Sequence, residues 1–130
     1  MRRMRCASAL LCIALAARAS TALAHHSVLP FDGAHGTTIA GTVARVLWQN
    51  PHVLIALDVP NQAGAIERWT VESEAPRVLT RLGWMQDSVT AGRRITVPGA
   101  RARDGSHALR CKSVQLADGR TLSCFPADAP

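Results

Sequence analysis

The sequence predicts a mainly β domain: a small five-stranded barrel with one short helix. Three observations carry that expectation. Short runs rich in β-branched residues alternate between two faces, turn dipeptides built from Gly, Pro, Asn and Asp separate them, and one stretch switches to helical spacing. The 130 residues contain no internal repeat and no low-complexity segment, and they suffice for one domain with a modest core.

Taken in order, residues 38–48, TIAGTVARVLW, read as the first strand, with Ile39 and Val43 on one face and Gly41 marking a bulge or sharp bend. Asn50-Pro51 demands a turn. Residues 52–59, HVLIALDV, form the second strand, with Val53, Ile55, Leu57 and Val59 on the inner face. PNQAG turns the chain into a third strand, IERWTVES. The period then changes: Val78, Leu79 and Leu82 fall at helical spacing, Pro76 sits in the first turn, and Gly83 is the stop. A turn at Ala91-Gly92 leads into a fourth strand within GRRITVPGAR. ARDGS is a further turn, and residues 107–124 read as a strand, an Asp118-Gly119 turn and a short return strand. The order β-β-β-α-β-β is that of an OB-like Greek-key barrel. A small antiparallel α+β sheet is the alternative. Closure is preferred because it hides the edges of five short strands.

The N-terminus reads as a secretory signal over residues 1–24. Arg2, Arg3 and Arg5 form a positive n-region, Cys6 to Ala17 a short apolar run, and Ala22-Leu23-Ala24 the small residues of a cleavage site. The run is shorter than the roughly 20 residues a bilayer span needs. Leu10-Leu11 before Cys12 is a poor lipidation context, and the arginines lack the surroundings of a twin-Arg signal, so Sec export to the periplasm or outside is expected. Cleavage near Ala24 changes the charge balance. Removing 24 of the 130 residues leaves 106. Arg2, Arg3, Arg5 and Arg18 depart, so the 15 Lys and Arg fall to 11 against 9 Asp and Glu. A net charge of only +2 argues against nucleic acid as a partner. The expected organisation is a signal over 1–24, an extended N-terminal arm over 25–37, and the barrel domain over 38–130, with no membrane span in the mature chain.

Cleavage also gives His25 a meaning. A terminal histidine carries an α-amine of pKa about 7.7–8.0 and an imidazole near 6.5. Together these chelate one metal, and a third nitrogen completes the tetragonal set that suits copper ahead of zinc. His26 and His52 are the available third ligands. The competing reading is a solvated arm whose histidines only keep the junction polar. WQNPH, residues 48–52, is the second constellation: the Asn50-Pro51 turn lies in the loop between the first two strands, which in an OB-like barrel borders the binding mouth. Trp48 and Asn50 would then belong to a binding loop. Alternatively, Trp48 caps the core and His52 hydrogen-bonds a loop carbonyl.

The remaining polar residues suggest less. His35 and His107 sit in or beside turns and read as solvated. Glu72 and Glu74 share a strand face but suit the start of a helix. Arg93-Arg94 and Arg101 with Arg103 read as a basic rim, an anion site being the minor reading. Cys111 and Cys124 are the natural disulfide of an exported chain. A two-residue turn at Asp118-Gly119 would nevertheless pair Cys124 with Ser113, leaving the cysteines diagonal and about 7–8 Å apart. A bulge or a different turn length is therefore required.

These residues together resemble a family of small exported bacterial proteins of unknown function. The likeness is carried by AHHS at 24–27, FD at 31–32, GTV at 41–43, WQNPH at 48–52, RLGWMQDS at 81–88, AGRRITVPG at 91–99, and DGS and LADGRTL further on. Val28 departs from the aromatic residue that pattern has after HHS. The resemblance implies a compact β-rich exported domain and supplies no activity, but it groups the His-His opening and the Asn-Pro-His turn in one pattern. No nucleophile elbow, zincin helix, phosphate loop or dinucleotide fingerprint is present. The expected function is an exported binding module for a transition metal, held by His25, His26 and His52. The alternative is a non-catalytic accessory subunit with an exported protein partner.

Overall fold

The computed structural model describes residues 30–127. In chain order the elements are β1 (Phe31–Leu47), β2 (Leu54–Pro60), β3 (Ile66–Glu72), α1 (Pro76–Arg81), β4 (Arg94–Ala102), β5 (Ala108–Cys111), β6 (Ser113–Leu116) and β7 (Thr121–Ser123). Strand β1 is long enough to serve two neighbours. Residues from Gly36 to Thr42 pair with β4, and those from Thr42 to Leu47 pair with β2. Thr42 is the pivot, opposite Arg94 on one side and Asp58 on the other. Strand β3 runs antiparallel to β2 and parallel to β5, and β5 runs antiparallel to β4. The circuit β1-β2-β3-β5-β4-β1 therefore closes a five-stranded OB-like barrel, with β6 and β7 as two additional strands. The β1–β4 pairing is what sets aside an open α+β sheet.

The inner faces are those that period-two alternation selects. Val53, Ile55 and Leu57 are fully buried, and Ile39, Val43, Trp69, Val71, Ile95, Val97 and Leu109 meet them in one core. Helix α1 adds Leu79, also fully buried, and Gly83 at φ 90° ends the helical stretch. Just beyond, the Trp84 indole is 2% exposed and donates its Nε1–H to the Ser123 carbonyl at 2.7 Å, fastening the post-helix loop to β7. Trp84→Phe keeps most of the ring but removes the donor. It is expected to lower stability by about 1 kcal/mol, read as a lower urea midpoint with an unchanged m-value. Among the described residues no helix is long and apolar enough to cross a membrane.

The structure departs from the sequence reading at three places. The first strand begins at Phe31 rather than Thr38, so residues 31–37 of the expected arm are strand, paired with β4 at Phe31, Gly36 and Thr37 around a register shift. Their exposed, glycine-containing sequence hides this. The template is β4, whose nine residues reach Ala102 opposite Phe31. Gly41 is not the bulge: the register shifts between Val43 and Arg45. A Cβ at Gly41 would instead overlap the Asp58 carbonyl oxygen, so that glycine permits close approach of β2. The third departure is the final hairpin. Its loop contains three residues, not two, closed by Leu116 N–H to Arg120 O at 2.9 Å and Gly119 N–H to Leu116 O at 3.0 Å. Ser113 consequently faces Ser123.

A bulge then resolves the cysteine geometry. Gly99 faces Cys111, whereas Thr96 faces Gln115 and Ile95 faces Leu116, so one extra residue is inserted between β5 and β6. The extra residue falls within Ser113-Val114, which together oppose Val97. Lys112 still keeps the β5 register, its N–H bonding the Pro98 carbonyl at 2.9 Å, and its own carbonyl accepts from Cys124 N–H at 3.1 Å. Cys111 and Cys124 are both buried and are bonded to each other, with Cα atoms 5.8 Å apart.

Candidate functional site

Residues 48–53 form the loop between β1 and β2. Its return is tied to the end of β3 by Val53 N–H to Glu74 O at 3.1 Å and Ser73 N–H to Val53 O at 3.0 Å. Val53 and Ser73 are buried, and the Ser73 hydroxyl also donates to the Val53 carbonyl at 3.3 Å. The residue after His52 is thus anchored by backbone through both its N–H and its carbonyl. Trp48 packs against the core edge, and Asn50 is exposed before a cis peptide bond to Pro51.

His52 is half-exposed, and its orientation is specific. Nδ1 lies 3.1 Å from the Ser73 carbonyl oxygen. A carbonyl only accepts, so Nδ1 carries the proton in this contact and the neutral ring keeps its lone pair on Nε2. Nε2 in turn lies 3.9 Å from Glu72 Oε1. This is the arrangement in which a histidine is held as a ligand: one nitrogen fixed by a backbone acceptor, the other free and facing a carboxylate. Glu72, read from the sequence as suited to the start of a helix, instead sits beside that nitrogen. Among the described residues no three His, Cys, Asp or Glu side chains gather within reach of one metal ion. His25 and His26 lie outside the described residues.

The other end of the barrel carries a cluster that the sequence reading dispersed. His107 is exposed, but its ring stacks on Trp69 at 4.9 Å with an interplanar angle of 14°. Its Nε2 lies 3.6 Å from Glu67 Oε2, while Asn61 Nδ2 donates to Glu67 Oε1 at 3.1 Å. Arg101 lies over the same indole at 5.0 Å. Strand alternation could have found it, since Arg101 follows Ile95, Val97 and Gly99 at every second position. Nearby, His35 Nδ1 lies 2.9 Å from Asp32 Oδ2, and that hydrogen bond holds the Asp32 carboxyl below its usual range.

A family model described as a family of unknown function (DUF6152) matches residues 12–110. The chain belongs to DUF6152. No curated protein matches it. The DUF6152 match spans the strands of the closed barrel as far as Arg110, including both ends of the barrel just described, and stops before Cys111 and the β6–β7 hairpin.

Proposed function

We propose that this protein is an exported, periplasmic module that binds a transition metal, copper ahead of zinc, through His25, His26 and His52, with Glu72 beside the site. The observation that carries this reading is the His52 ring. Its Nδ1 is committed to the Ser73 carbonyl and its Nε2 is directed toward Glu72. A terminal His25 would contribute an amine and an imidazole, and His52 the third nitrogen of a tetragonal copper set. The buried disulfide supports an oxidising compartment.

Chain reach also supports it. Phe31 faces Ala102 on β4, β4 pairs with β5, and β5 pairs with β3, where Arg110 faces Glu72. Counted along the wall of the closed barrel, three inter-strand steps and about two residues of rise put Phe31 at most about 16 Å from Glu72. The six residues from His25 to Pro30 span at most about 20 Å. Six residues are therefore long enough to bring His25 to His52.

The test begins with the intact mass of the mature protein, followed by Cu(II) titration monitored by EPR. A His25 terminus with nitrogen hyperfine structure is expected. His52→Ala and the pair His25→Ala with His26→Ala should each weaken binding by about tenfold or more. Affinity should also fall as pH drops and protons occupy the ligating nitrogens. A wild-type Cu(II) spectrum indistinguishable from that of the His25→Ala, His26→Ala protein overturns the proposal.

A further inference from the structure

Arg101 occupies a position that strand alternation assigns to the barrel interior, and in the structure it is half-buried at the barrel end, its Nε shielded while its Nη2 stays at the surface. A guanidinium in such a place calls for an acceptor, because leaving buried donors unpaired is costly. None of the described carboxylates forms an ion pair with it: Glu67 engages His107, Glu72 lies by His52, Asp32 engages His35, Asp58 engages Arg68 and Asp118 engages Arg120. Asp104 accepts from Ser106 N–H, and neither Glu74 nor Asp87 forms an ion pair among the described residues. Its single hydrogen bond among the described residues is a 3.3 Å contact from Nη2 to the Gly105 carbonyl. Arg101 Nε is buried with no acceptor among the described residues, and so is Nε1 of Trp69, the 5%-exposed indole beneath it.

A cavity of about 500 Å³ opens against this arginine. It is bounded by Arg101, Arg103, Thr37, Gly105 and the Asp32–His35 pair. Two arginines against one carboxylate leave a net positive charge, and Asp32 is already engaged by His35. The volume falls within the range of small-molecule sites. The guanidinium carbon lies 5.0 Å from the centre of the Trp69 ring, on which His107 also stacks, so a cation–π contact restrains the group before any ligand arrives.

We propose that this cavity between the start of β1 and the β4–β5 loop is a binding site for a small organic carboxylate, with Arg101 as its anchor. A planar guanidinium matches a carboxylate through two parallel hydrogen bonds. Thr37 at the wall and Arg103 at the mouth supply further donors. The site is independent of His52 and needs no metal.

The purified, disulfide-bonded protein is titrated with benzoate, with its neutral amide benzamide, and with inorganic phosphate, by calorimetry and by NMR of the Arg101 Nε–H and Trp69 Nε1–H resonances. Benzoate is expected to bind with a millimolar or tighter Kd and to shift both resonances, while benzamide leaves them in place. Arg101→Gln should weaken benzoate binding by about tenfold or more, and the exposed Arg103→Gln by a smaller factor. Should Arg101→Gln fail to fold, the wild-type comparison of benzoate with benzamide and the Arg103→Gln titration decide. Absence of any benzoate-induced shift, or equal responses to benzoate and benzamide, overturns the site. Phosphate binding as tightly as benzoate overturns the carboxylate assignment.

Discussion

Gly99→Ala is expected to destabilise the protein by about 3 kcal/mol or more. A Cβ at this position would overlap the Arg110 carbonyl oxygen and lie 3.0 Å from Leu109 Cγ. Neither can yield cheaply. The Arg110 carbonyl belongs to β5 where that strand is held between β3 and β4, and Leu109 is fully buried in the core. Relief would require parting β4 from β5, which opens the barrel. Gly36→Ala is the internal control, since nothing lies within 4 Å of a Cβ there and Gly36 is exposed. It should change stability by no more than about 0.5 kcal/mol. Equal urea midpoints for the two variants would show that β4 and β5 are not in such close contact.

Loss of the Cys111–Cys124 bond is the second large effect. It closes a loop with a sequence separation of 13, for which chain-entropy arguments give about 3 kcal/mol. In a domain of this size that corresponds to a fall in Tm on the order of 15 °C. The double replacement Cys111→Ala, Cys124→Ala adds the loss of two buried sulfurs and should lie slightly lower than the reduced wild type. Thermal unfolding with and without reductant measures the first contribution, and the variant measures the sum. A Tm indifferent to reductant would remove the bond from the account of stability.

The barrel was legible in the sequence wherever burial imposed a period. Val53, Ile55 and Leu57 alternate because β2 has one face on the core, and Leu79 marks the helix because it alone is fully buried there. Legibility failed where packing imposes no pattern. Residues 31–37 are largely exposed on both faces, so their pairing with β4 leaves no hydrophobic trace. The bulge at Ser113-Val114 is likewise invisible, because one residue inserted between exposed Lys112 and buried Val114 shows only once the register is known.

The candidate sites divide in the same way. The Asn-Pro-His turn could be picked out from local chemistry, but the role of Ser73 and Glu72 in orienting His52 depends on the pairing of β2 with β3. Arg101 and His107 flank one turn, between β4 and β5, but Trp69 comes from a separate stretch of chain, β3. Only the parallel contact of β3 with β5 brings His107 to the indole, and a parallel pairing between strands so far apart in sequence carries no turn signal.

The double pairing of β1 also has a kinetic side. Its C-terminal half finds β2 within a short hairpin, whereas Phe31 must wait for Ala102, some seventy positions later. Contacts so distant in sequence are slow to form. As the chain is made or released from its N-terminus, residues 31–42 remain an unsatisfied edge until β4 has emerged. Until then that open edge is where the chain is most exposed to mispairing with another copy of itself.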